Sequence, residues 1–382
     1  MNSWIEISEE RLAGNFRVVA AAVGAQTDVL AVVKANAYGH GAEVCCVALA
    51  RAGAKWLGVA CASEGARVRL ALTAAGFVAE GAPRILVMCG FMPEDVAAIV
   101  EHGLTPVVWT AEQVGWLAGT GERVHVEVET GMGRQGVRPG AALDEVLNAM
   151  GEVGIGLDGM LTHFCAAEVA CSERTQAQER RFEVAIAQVR ERGLTPKWVH
   201  AGSSSSVDNP AQSSPWLVEL TKRVRARAMV RCGIALYGYC LPIEGANAGP
   251  KLRPAVRPVM TWKTRVVDVR EVLAGETVGY NATYTAQGPM RLALLPVGYS
   301  DGLRRELSST NAKPGGWVMI GEKRAAIVGR ISMNLTMVDV SAIDGVHVGD
   351  EVVLLGDGVT ADDHARLAET ISYEILCGVR AG

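Results

Sequence analysis

The sequence predicts an α/β fold in which an N-terminal (β/α)8 TIM barrel is followed by a mostly β C-terminal domain. Three observations lead to this prediction. Short runs rich in Val, Ile and Leu alternate with stretches of helical period, and eight such units span about 210 residues. After Gly238 this alternation ends and short segments separated by turn signals follow. This count and length match a (β/α)8 barrel, and strands connected by helices must be parallel. We place the domain boundary between residues 240 and 241.

The eight predicted barrel strands are short apolar runs. They are Val29 to Ala35, Trp56 to Ala60, Arg84 to Met88, Thr105 to Trp109, Val124 to Glu129, Gly156 to Thr162, Lys197 to Ala201 and Met229 to Leu236. Between them lie amphipathic segments such as Glu173 to Arg192, where Phe182, Ile186 and Val189 recur at spacings of three and four. This spacing indicates a helix with one apolar face.

Residues 241–382 are predicted to form a second domain. A linker rich in Pro, Gly and Ala spans Leu241 to Pro258. Short alternating segments separated by turn signals then predict strands, namely Thr264 to Val269, Arg291 to Leu295, Gly316 to Ile320, Ala325 to Gly329 and Glu351 to Leu355. A helix is predicted from Ala361 to Ile371.

Composition excludes several classes of protein. The 382 residues are 49% hydrophobic and 20% charged, with a net charge of −4. The basic stretch from Lys222 to Arg231 is interleaved with apolar residues. We therefore expect no nucleic-acid partner. The nine cysteines are scattered without a Cys-x-x-Cys spacing and are expected to be buried free thiols in a reducing compartment. We find no signal peptide and no apolar run long enough for a membrane span. We expect a soluble cytoplasmic protein without a metal site.

The segment from Ala31 to Gly41 carries the most specific chemistry. It places Lys34 at the carboxyl end of the first apolar barrel strand, followed by Tyr38 and His40. A lysine at such a position is costly unless it is neutralised, paired or used covalently, and barrel enzymes place their chemistry at this end of the strands. A Schiff base on Lys34 is one interpretation, and a lysine that extends into solvent is the other.

Read as a whole, this segment resembles the cofactor-lysine motif of the alanine racemase family, and the resemblance continues in the same order over essentially the full chain. It implies pyridoxal 5'-phosphate bound covalently to Lys34, with the Tyr38 hydroxyl on the phosphate. Barrels commonly bind phosphate after strands seven and eight. The resemblance assigns the remaining phosphate contacts to Ser204, the N–H groups of Gly233 and Ile234, and Tyr373.

Arg231 has a specific meaning in this resemblance, because family members place this arginine against the pyridine nitrogen of the cofactor. A permanently protonated arginine cannot accept the ring proton, so the ring stays a weaker electron sink and transamination is restrained. His200 is the natural partner behind Arg231. Without the resemblance, Arg231 would equally fit a salt bridge at the barrel rim.

Racemisation requires proton removal on one face of Cα and proton delivery on the other, so two bases are expected. The resemblance assigns these roles to Lys34 and Tyr280, with His163 in contact with the tyrosine. A tyrosine needs cationic or hydrogen-bonding neighbours to act as a base near neutral pH. The resemblance also implies a homodimer in which the β domain of one subunit, with Tyr280 and Tyr299, completes the active site of its partner.

The substrate carboxylate needs a cation. Arg134 lies just past the fifth strand in a glycine-rich turn, and an arginine suits bidentate binding of a carboxylate. By the resemblance, Met333 adds its backbone N–H from the partner subunit. The resemblance implies a small-molecule amino-acid substrate and the interconversion of L- and D-alanine, of which the D-amino acid is a peptidoglycan precursor.

Three positions depart from the common family pattern. Glu127 stands where most relatives have a lysine, carbamylated in many of them, and we expect its carboxylate to hold Arg134 by a charge-assisted hydrogen bond, directly or through a water. Asn334 replaces an aspartate and is the residue found in serine-racemising relatives. Ser203 replaces an asparagine near the cofactor ring oxygen.

The resemblance therefore predicts the activity of an alanine racemase. The alternative is a serine or broad-specificity amino-acid racemase on the same scaffold. Two other classes of protein share this type of barrel. A pyridoxal-phosphate carrier protein of related barrel fold usually ends near the barrel, which the β domain argues against. A decarboxylase of the same barrel type is the enzymatic competitor.

Overall fold

The computed structural model describes residues 2–78, 81–211 and 214–380. The chain divides into two compact units. The barrel unit comprises Glu9–Ala37 and Gly41–Arg257, and the β unit comprises Met1–Ser8, Tyr38–His40 and Pro258–Gly382. The predicted boundary at residues 240 and 241 stays a prediction.

The barrel unit contains a closed ring of eight strands, which confirms the predicted fold class. After β1 (Ser3–Ile7), which belongs to the β unit, the barrel strands are β2 (Thr27–Val32), β3 (Trp56–Val59), β4 (Arg84–Val87), β5 (Leu104–Val108), β6 (Arg123–Glu127), β7 (Gly156–Leu161), β8 (Trp198–His200) and β9 (Arg227–Cys232). All neighbours pair in parallel, and β9 pairs back with β2.

The last predicted barrel strand was too long. Strand β9 ends at Cys232, and Ile234–Tyr237 form a 3-10 helix. The apolar run continues through both segments, so hydrophobicity alone does not mark the end of the strand. In the structure, the Ser204 hydroxyl accepts the N–H groups of Gly233 and Ala235, which turns this backbone away from the strand ladder.

Helices and one left-handed turn connect the strands of the ring. They are α1 (Glu9–Val23), the left-handed turn α2 (Lys34–Tyr38), α3 (Ala42–Arg51), α4 (Ala62–Ala74), α5 (Val96–Glu101), α6 (Ala111–Trp116), α7 (Ala141–Val153), α8 (Glu173–Glu191), α9 (Ser204–Asp208) and α10 (Ser214–Val224). Helix α8 confirms the predicted amphipathic segment. The Ser172 hydroxyl caps it by accepting the N–H of Thr175, and Phe182, Ile186 and Val189 are buried.

The β unit is built on an eight-stranded antiparallel sheet of order β1-β10-β18-β15-β16-β17-β14-β11, with a two-stranded hairpin β12-β13. The strands are β10 (Met260–Arg265), β11 (Asp268–Val272), β12 (Thr277–Val278), β13 (Tyr284–Thr285), β14 (Met290–Leu295), β15 (Trp317–Ile320), β16 (Lys323–Val328), β17 (Thr336–Asp339) and β18 (Glu351–Leu355). Helices α11 (Ala361–Leu367) and α12 (Ser372–Gly378) follow, so the predicted helix ends earlier than Ile371.

The prediction of one strand from Thr264 to Val269 was wrong, because the chain changes partners there. Strand β10 pairs with β1 and β18, whereas β11 pairs with β14. At the corner, the N–H of Val266 binds the carbonyl of Asp350, and the N–H of Val267 binds that of Leu294. An alternating pattern continues through such a corner, so the sequence does not reveal it.

The nine cysteines are free thiols, but the expectation that they are buried holds for only four of them. The five exposed ones are Cys61, Cys89, Cys165, Cys171 and Cys377. Four of these follow barrel strands in connecting segments, where side chains reach solvent. Within the described residues, no helix is both long and apolar enough to cross a membrane.

Candidate active site

Lys34 lies directly beyond the carboxyl end of β2 and begins an unusual backbone segment. The four residues after it, Ala35, Asn36, Ala37 and Tyr38, all have φ between 52° and 55°. Left-handed backbone is unfavourable for residues with a Cβ, by roughly 1–2 kcal/mol each. Runs of such residues persist only where surrounding structure holds them, and they concentrate at functional sites.

Two side chains of the barrel unit hold this left-handed turn. The carboxylate of Glu64 accepts the N–H of Ala35 and the N–H of Ala60, each at 2.8 Å. The side-chain oxygen of Asn36 accepts the N–H of Ala42 at 2.9 Å. The turn is therefore fixed to α4 and α3, and Lys34 is presented half-buried at the mouth of the barrel.

Arg231, on β9, is a buried cation, and the charge of Glu127 acts on it without a salt bridge between the two among the described residues. Among the described residues it forms no ion pair; its Nη2 donates to the carbonyl of Thr162 at 2.7 Å and to Nδ1 of His163 at 3.1 Å. Its Nη1 faces Nδ1 of His200 at 3.4 Å. Burial is the main cause that lowers the pKa of Arg231, to about 10, so the guanidinium stays protonated near neutral pH.

Both histidines beside Arg231 are neutral. Burial lowers the pKa of His163 to about 3, and the positive charges of Arg231, Arg134 and Lys34 add to the effect. Burial and the neighbouring His125 and Arg231 lower the pKa of His200 well below its usual value. Neutral rings offer lone pairs, which is what the donor-only guanidinium requires. The structure therefore brings Lys34, His163, His200 and Arg231 together as expected.

Glu127 lies at the end of β6, and its contact differs from the expected one. Its buried carboxylate accepts a hydrogen bond from Nε2 of Gln135 at 2.6 Å, and Gln135 also donates to the carbonyl of Met88. Within the described residues there is no direct hydrogen bond from Arg134 to Glu127. The glycine-rich loop turns Gln135 inward and leaves Arg134 exposed. Arg134 still acts through its charge, because it opposes the rise in the pKa of Glu127 that burial causes.

The loop that carries Arg134 is folded around a second carboxylate. Glu129 accepts the backbone N–H groups of Gly131, Gly133 and Arg134. Three donors on one carboxylate fix the course of the loop, because each is a charge-assisted hydrogen bond. Neither Glu129 nor Gln135 was predicted as a site residue, although both lie in the same glycine-rich segment as Arg134.

Ser204, Gly233 and Ile234, which were predicted to bind phosphate, follow β8 and β9. Two of them, Ser204 and Gly233, are hydrogen-bonded to each other. Ser203 precedes α9, and its N–H donates to the Ser206 hydroxyl. The N–H of Gly233 donates to the Ser204 hydroxyl at 3.1 Å. Within the described residues, the N–H of Ile234 makes no hydrogen bond.

The β unit holds the other predicted residues. The rings of Tyr38 and Tyr373 lie 5.8 Å apart, centroid to centroid. The N–H of Tyr299 binds the carbonyl of Ser332, the N–H of Ser300 binds that of Met333, and the side-chain amide of Asn334 donates to the Ser300 hydroxyl at 2.6 Å. Tyr299, Met333 and Asn334 are therefore neighbours.

Tyr280 follows Gly279, whose backbone packs closely against the backbone of Arg330. A Cβ on Gly279 would lie 2.8 Å from the backbone nitrogen of Arg330, and φ at Gly279 is 80°, so only glycine fits here. Tyr280 itself is 65% exposed. The β unit thus presents Tyr280, Tyr299 and Met333 at its surface.

Comparison with known proteins agrees with this arrangement. The family model "Alanine racemase, N-terminal domain" matches residues 7–241, and "Alanine racemase, C-terminal domain" matches residues 259–382. A protein named alanine racemase from Symbiobacterium thermophilum is 35% identical over 99% of this chain and 94% of its own.

Solved structures of the same name share the fold. Alanine racemase from Streptomyces coelicolor A3(2) superposes with a TM-score of 0.85 at 32% identity, over 100% of this chain and 96% of the other. The Bartonella henselae alanine racemase, solved with covalently bound pyridoxal phosphate, gives a TM-score of 0.81 at 26% identity, over 100% and 98% of the two chains. By sequence match and by fold, this chain belongs to the alanine racemase family.

Proposed function

We propose that this protein is a pyridoxal-phosphate-dependent alanine racemase. The observation that carries the proposal is the setting of Arg231. A buried guanidinium that faces two neutral histidines and makes no hydrogen bond to a carboxylate among the described residues keeps a positive charge that the charge of Glu127 offsets only in part. Such a charge is costly to bury unless an acceptor joins it, and a cofactor ring nitrogen is an acceptor of the required kind.

The donor set also fits the rest of this cofactor. Lys34 would hold it covalently, as the Bartonella henselae relative holds pyridoxal phosphate. The phosphate would be held by the hydroxyls of Tyr38, Ser204 and Tyr373 and by the backbone N–H group of Ile234. The N–H of Gly233 donates to the Ser204 hydroxyl and would have to leave it to join them. Ser203 would lie beside the ring, and His200 would lie behind Arg231. When bound, the cofactor supplies an electron sink that acidifies the Cα–H bond of the amino acid.

Two side chains move the proton in this proposal. Nζ of Lys34 takes or gives it on one face of the substrate, and Oη of Tyr280 does so on the other. His163 accepts from Arg231 at Nδ1, so its proton is on Nε2 and is available to a tyrosine oxygen. A hydrogen bond to the phenolate form of a tyrosine stabilises that form.

The protein acts as a homodimer in this proposal. Tyr280, Tyr299, Met333 and Asn334 are presented at the surface of the β unit and complete the site of the partner subunit. Arg134 binds the substrate carboxylate, and Glu127 shapes that pocket through Gln135. A serine or broader substrate range is the second candidate, because the side chain of Asn334 offers an amide beside Ser300. A cytoplasmic location stays a prediction.

The decisive experiment is D-alanine formation from L-alanine by the purified protein. We expect turnover, a yellow protein, and loss of the visible absorbance after borohydride with the cofactor fixed on the peptide that contains Lys34. Lys34→Ala should abolish turnover, colour and borohydride labelling.

The control is Lys55→Ala, which removes an exposed lysine that directly precedes β3 at the opposite end of the barrel strands. It should keep all three properties. A reducible cofactor in Lys34→Ala, or a colourless wild-type protein without racemase activity, would contradict the proposal.

A further inference from the structure

A continuous line of polar side chains runs through the interior of the barrel, behind Arg231. Nδ1 of His200 faces Arg231, and Nε2 of His200 lies 2.8 Å from Nδ1 of His125. Nε2 of His125 in turn lies 3.4 Å from the carboxylate of Asp158. Both rings are fully buried, and Asp158 is 1% exposed. Four residues on strands β6, β7, β8 and β9 thus form one chain, which we call the axial chain.

The far end of the axial chain is fixed by two arginines. Asp158 receives Nη1 of Arg84 at 2.7 Å and Nε of Arg123 at 3.1 Å. Burial opposes ionisation of this carboxyl, but the hydrogen bond from His125 and the charge of Arg84 outweigh it and hold the pKa of Asp158 well below its usual range. Asp158 is therefore a carboxylate, which accepts hydrogen bonds and cannot donate them.

These end groups leave only one arrangement of protons. Arg231 is a donor without acceptor capacity, and Asp158 is an acceptor without a proton. Each of the two histidines between them is neutral and carries one proton. His200 must accept at Nδ1 from Arg231 and donate from Nε2, and His125 must accept at Nδ1 and donate from Nε2 to Asp158. Any other placement sets two donors or two lone pairs against each other.

The surroundings of His125 keep its ring in this line. A Cβ on Gly159 would lie 2.6 Å from the His125 ring atoms, so the absence of a side chain there creates the space that the ring occupies. The ring of Trp56 lies 5.3 Å from it, centroid to centroid, and the guanidinium of Arg84 stacks 4.2 Å above that indole. The His125 ring therefore has little freedom to turn.

We infer that Asp158 and His125 are positioning residues of the active site, which fix the ring tautomer of His200 and through it the guanidinium of Arg231. The inference rests on the proposed function, because Arg231 matters there as the cation that meets the cofactor. If His200 carried its proton on Nδ1, that N–H would oppose an N–H of Arg231, and the guanidinium would have to move. Its contact with His163 would move with it.

The axial chain does not pass a proton along its length. A complete shift would leave Arg231 neutral and Asp158 protonated. The pKa of Arg231, about 10, and the strongly lowered pKa of Asp158 both oppose that outcome. The role of the chain is orientation, as with the outer groups that set the tautomer of a metal-binding histidine.

The first test measures the tautomers directly, by NMR of the full-length protein labelled with 15N in the histidine rings. In the wild type we expect His125 and His200 both to have an unprotonated Nδ1 and a protonated Nε2. In His125→Phe, His200 loses its acceptor, and in Asp158→Asn the amide can accept or donate, so we expect His200 signals that show a mixture of tautomers in both. A protonated Nδ1 on His200 in the wild type, or unchanged His200 signals in both variants, would overturn the inference.

The second test measures catalysis and the cofactor together. We expect Asp158→Asn to lower kcat about tenfold, to change KM by less than about twofold, and to shift the visible absorption of the bound cofactor, because a lost outer partner displaces the group in front of it. Gly159→Ala, which displaces the His125 ring without altering a charge, should act in the same direction. If Asp158→Asn does not fold, Gly159→Ala and His125→Phe supply the same comparison.

The matched control is Asp28→Asn. Asp28 is also a barrel-strand carboxylate paired to an arginine, Arg227 at 2.6 Å, but in the part of the chain that the structure describes no histidine is hydrogen-bonded to it. It should leave kcat and the absorption spectrum unchanged. Equal effects in Asp28→Asn, or none in any axial-chain variant, would overturn the inference. A wild type that shows the expected tautomers but no racemase activity would instead contradict the proposed function and leave the axial chain in place.

Discussion

The two units differ in how they hold the residues proposed for catalysis. In the barrel unit, Arg231 is 7% exposed and His200 is fully buried, and each faces a polar neighbour within its own unit. In the β unit, Tyr280 is 65% exposed and Met333 is 56% exposed. The barrel unit fixes its side chains by internal hydrogen bonds, whereas the β unit exposes a tyrosine and a methionine that the partner subunit of the proposed homodimer would cover.

The largest expected effect that tests this contrast comes from Tyr280→Phe. The variant should bind the cofactor and lose racemase activity by roughly 10²- to 10⁴-fold, the usual contribution of a positioned acid or base. Mixing it with Lys34→Ala chains should restore part of the activity, because one site of a mixed dimer then has both wild-type residues. Absence of recovery after subunit exchange has been verified by mass spectrometry would mean that Tyr280 acts in its own subunit or not at all.

A smaller effect is expected from Glu127→Gln, which removes a buried charge and keeps the shape of the side chain. Gln135 would then face an amide in place of a carboxylate, and the loop with Arg134 would lose part of its anchor. Loss of one charged hydrogen bond costs about 1–3 kcal/mol, so kcat/KM should fall about tenfold, mainly through KM. Wild-type activity should also not respond to added bicarbonate. A Gln variant with full activity would show that the charge is not used.

The smallest effect is expected from Asn334→Asp. The wild-type amide donates to Ser300, and a carboxylate at this position could only accept. We expect the ratio of kcat/KM for serine to that for alanine to fall about threefold, since one hydrogen bond to a substrate hydroxyl is worth about 1 kcal/mol. Competition between the two substrates in one reaction measures this ratio directly. The hypothesis that residue 334 sets specificity fails if the ratio is the same in both proteins.

The sequence predicted what depends on local pattern and missed what depends on distant partners. The eight apolar runs gave the barrel, because each buried strand carries its own hydrophobic signal. Strand β1 was missed, since its pairing with β10 is set by residues far along the chain. The break between β10 and β11 was missed for the same reason.

The same limit applies to the candidate site. Lys34, His163, His200 and Arg231 were found through the motif and the resemblance, and the structure places them together. His125 and Asp158 were passed over, although Asp158 within the apolar strand β7 was a signal, because a buried carboxylate needs partners. The choice of Gln135 over Arg134 as the donor to Glu127 depends on how a glycine-rich loop turns, and residue types alone do not specify that.

The pairing of β1 with β10 has a consequence for how the protein is made. Ser3 lies opposite Thr264 in the sheet, and the whole barrel unit is inserted between these strands. At about 5–20 residues per second of translation, β1 leaves the ribosome roughly 10–50 seconds before its partner. During that interval an unpaired strand with Trp4 and Ile5 is available to other chains, so a chaperone that shields the nascent N-terminus should raise the yield of folded protein.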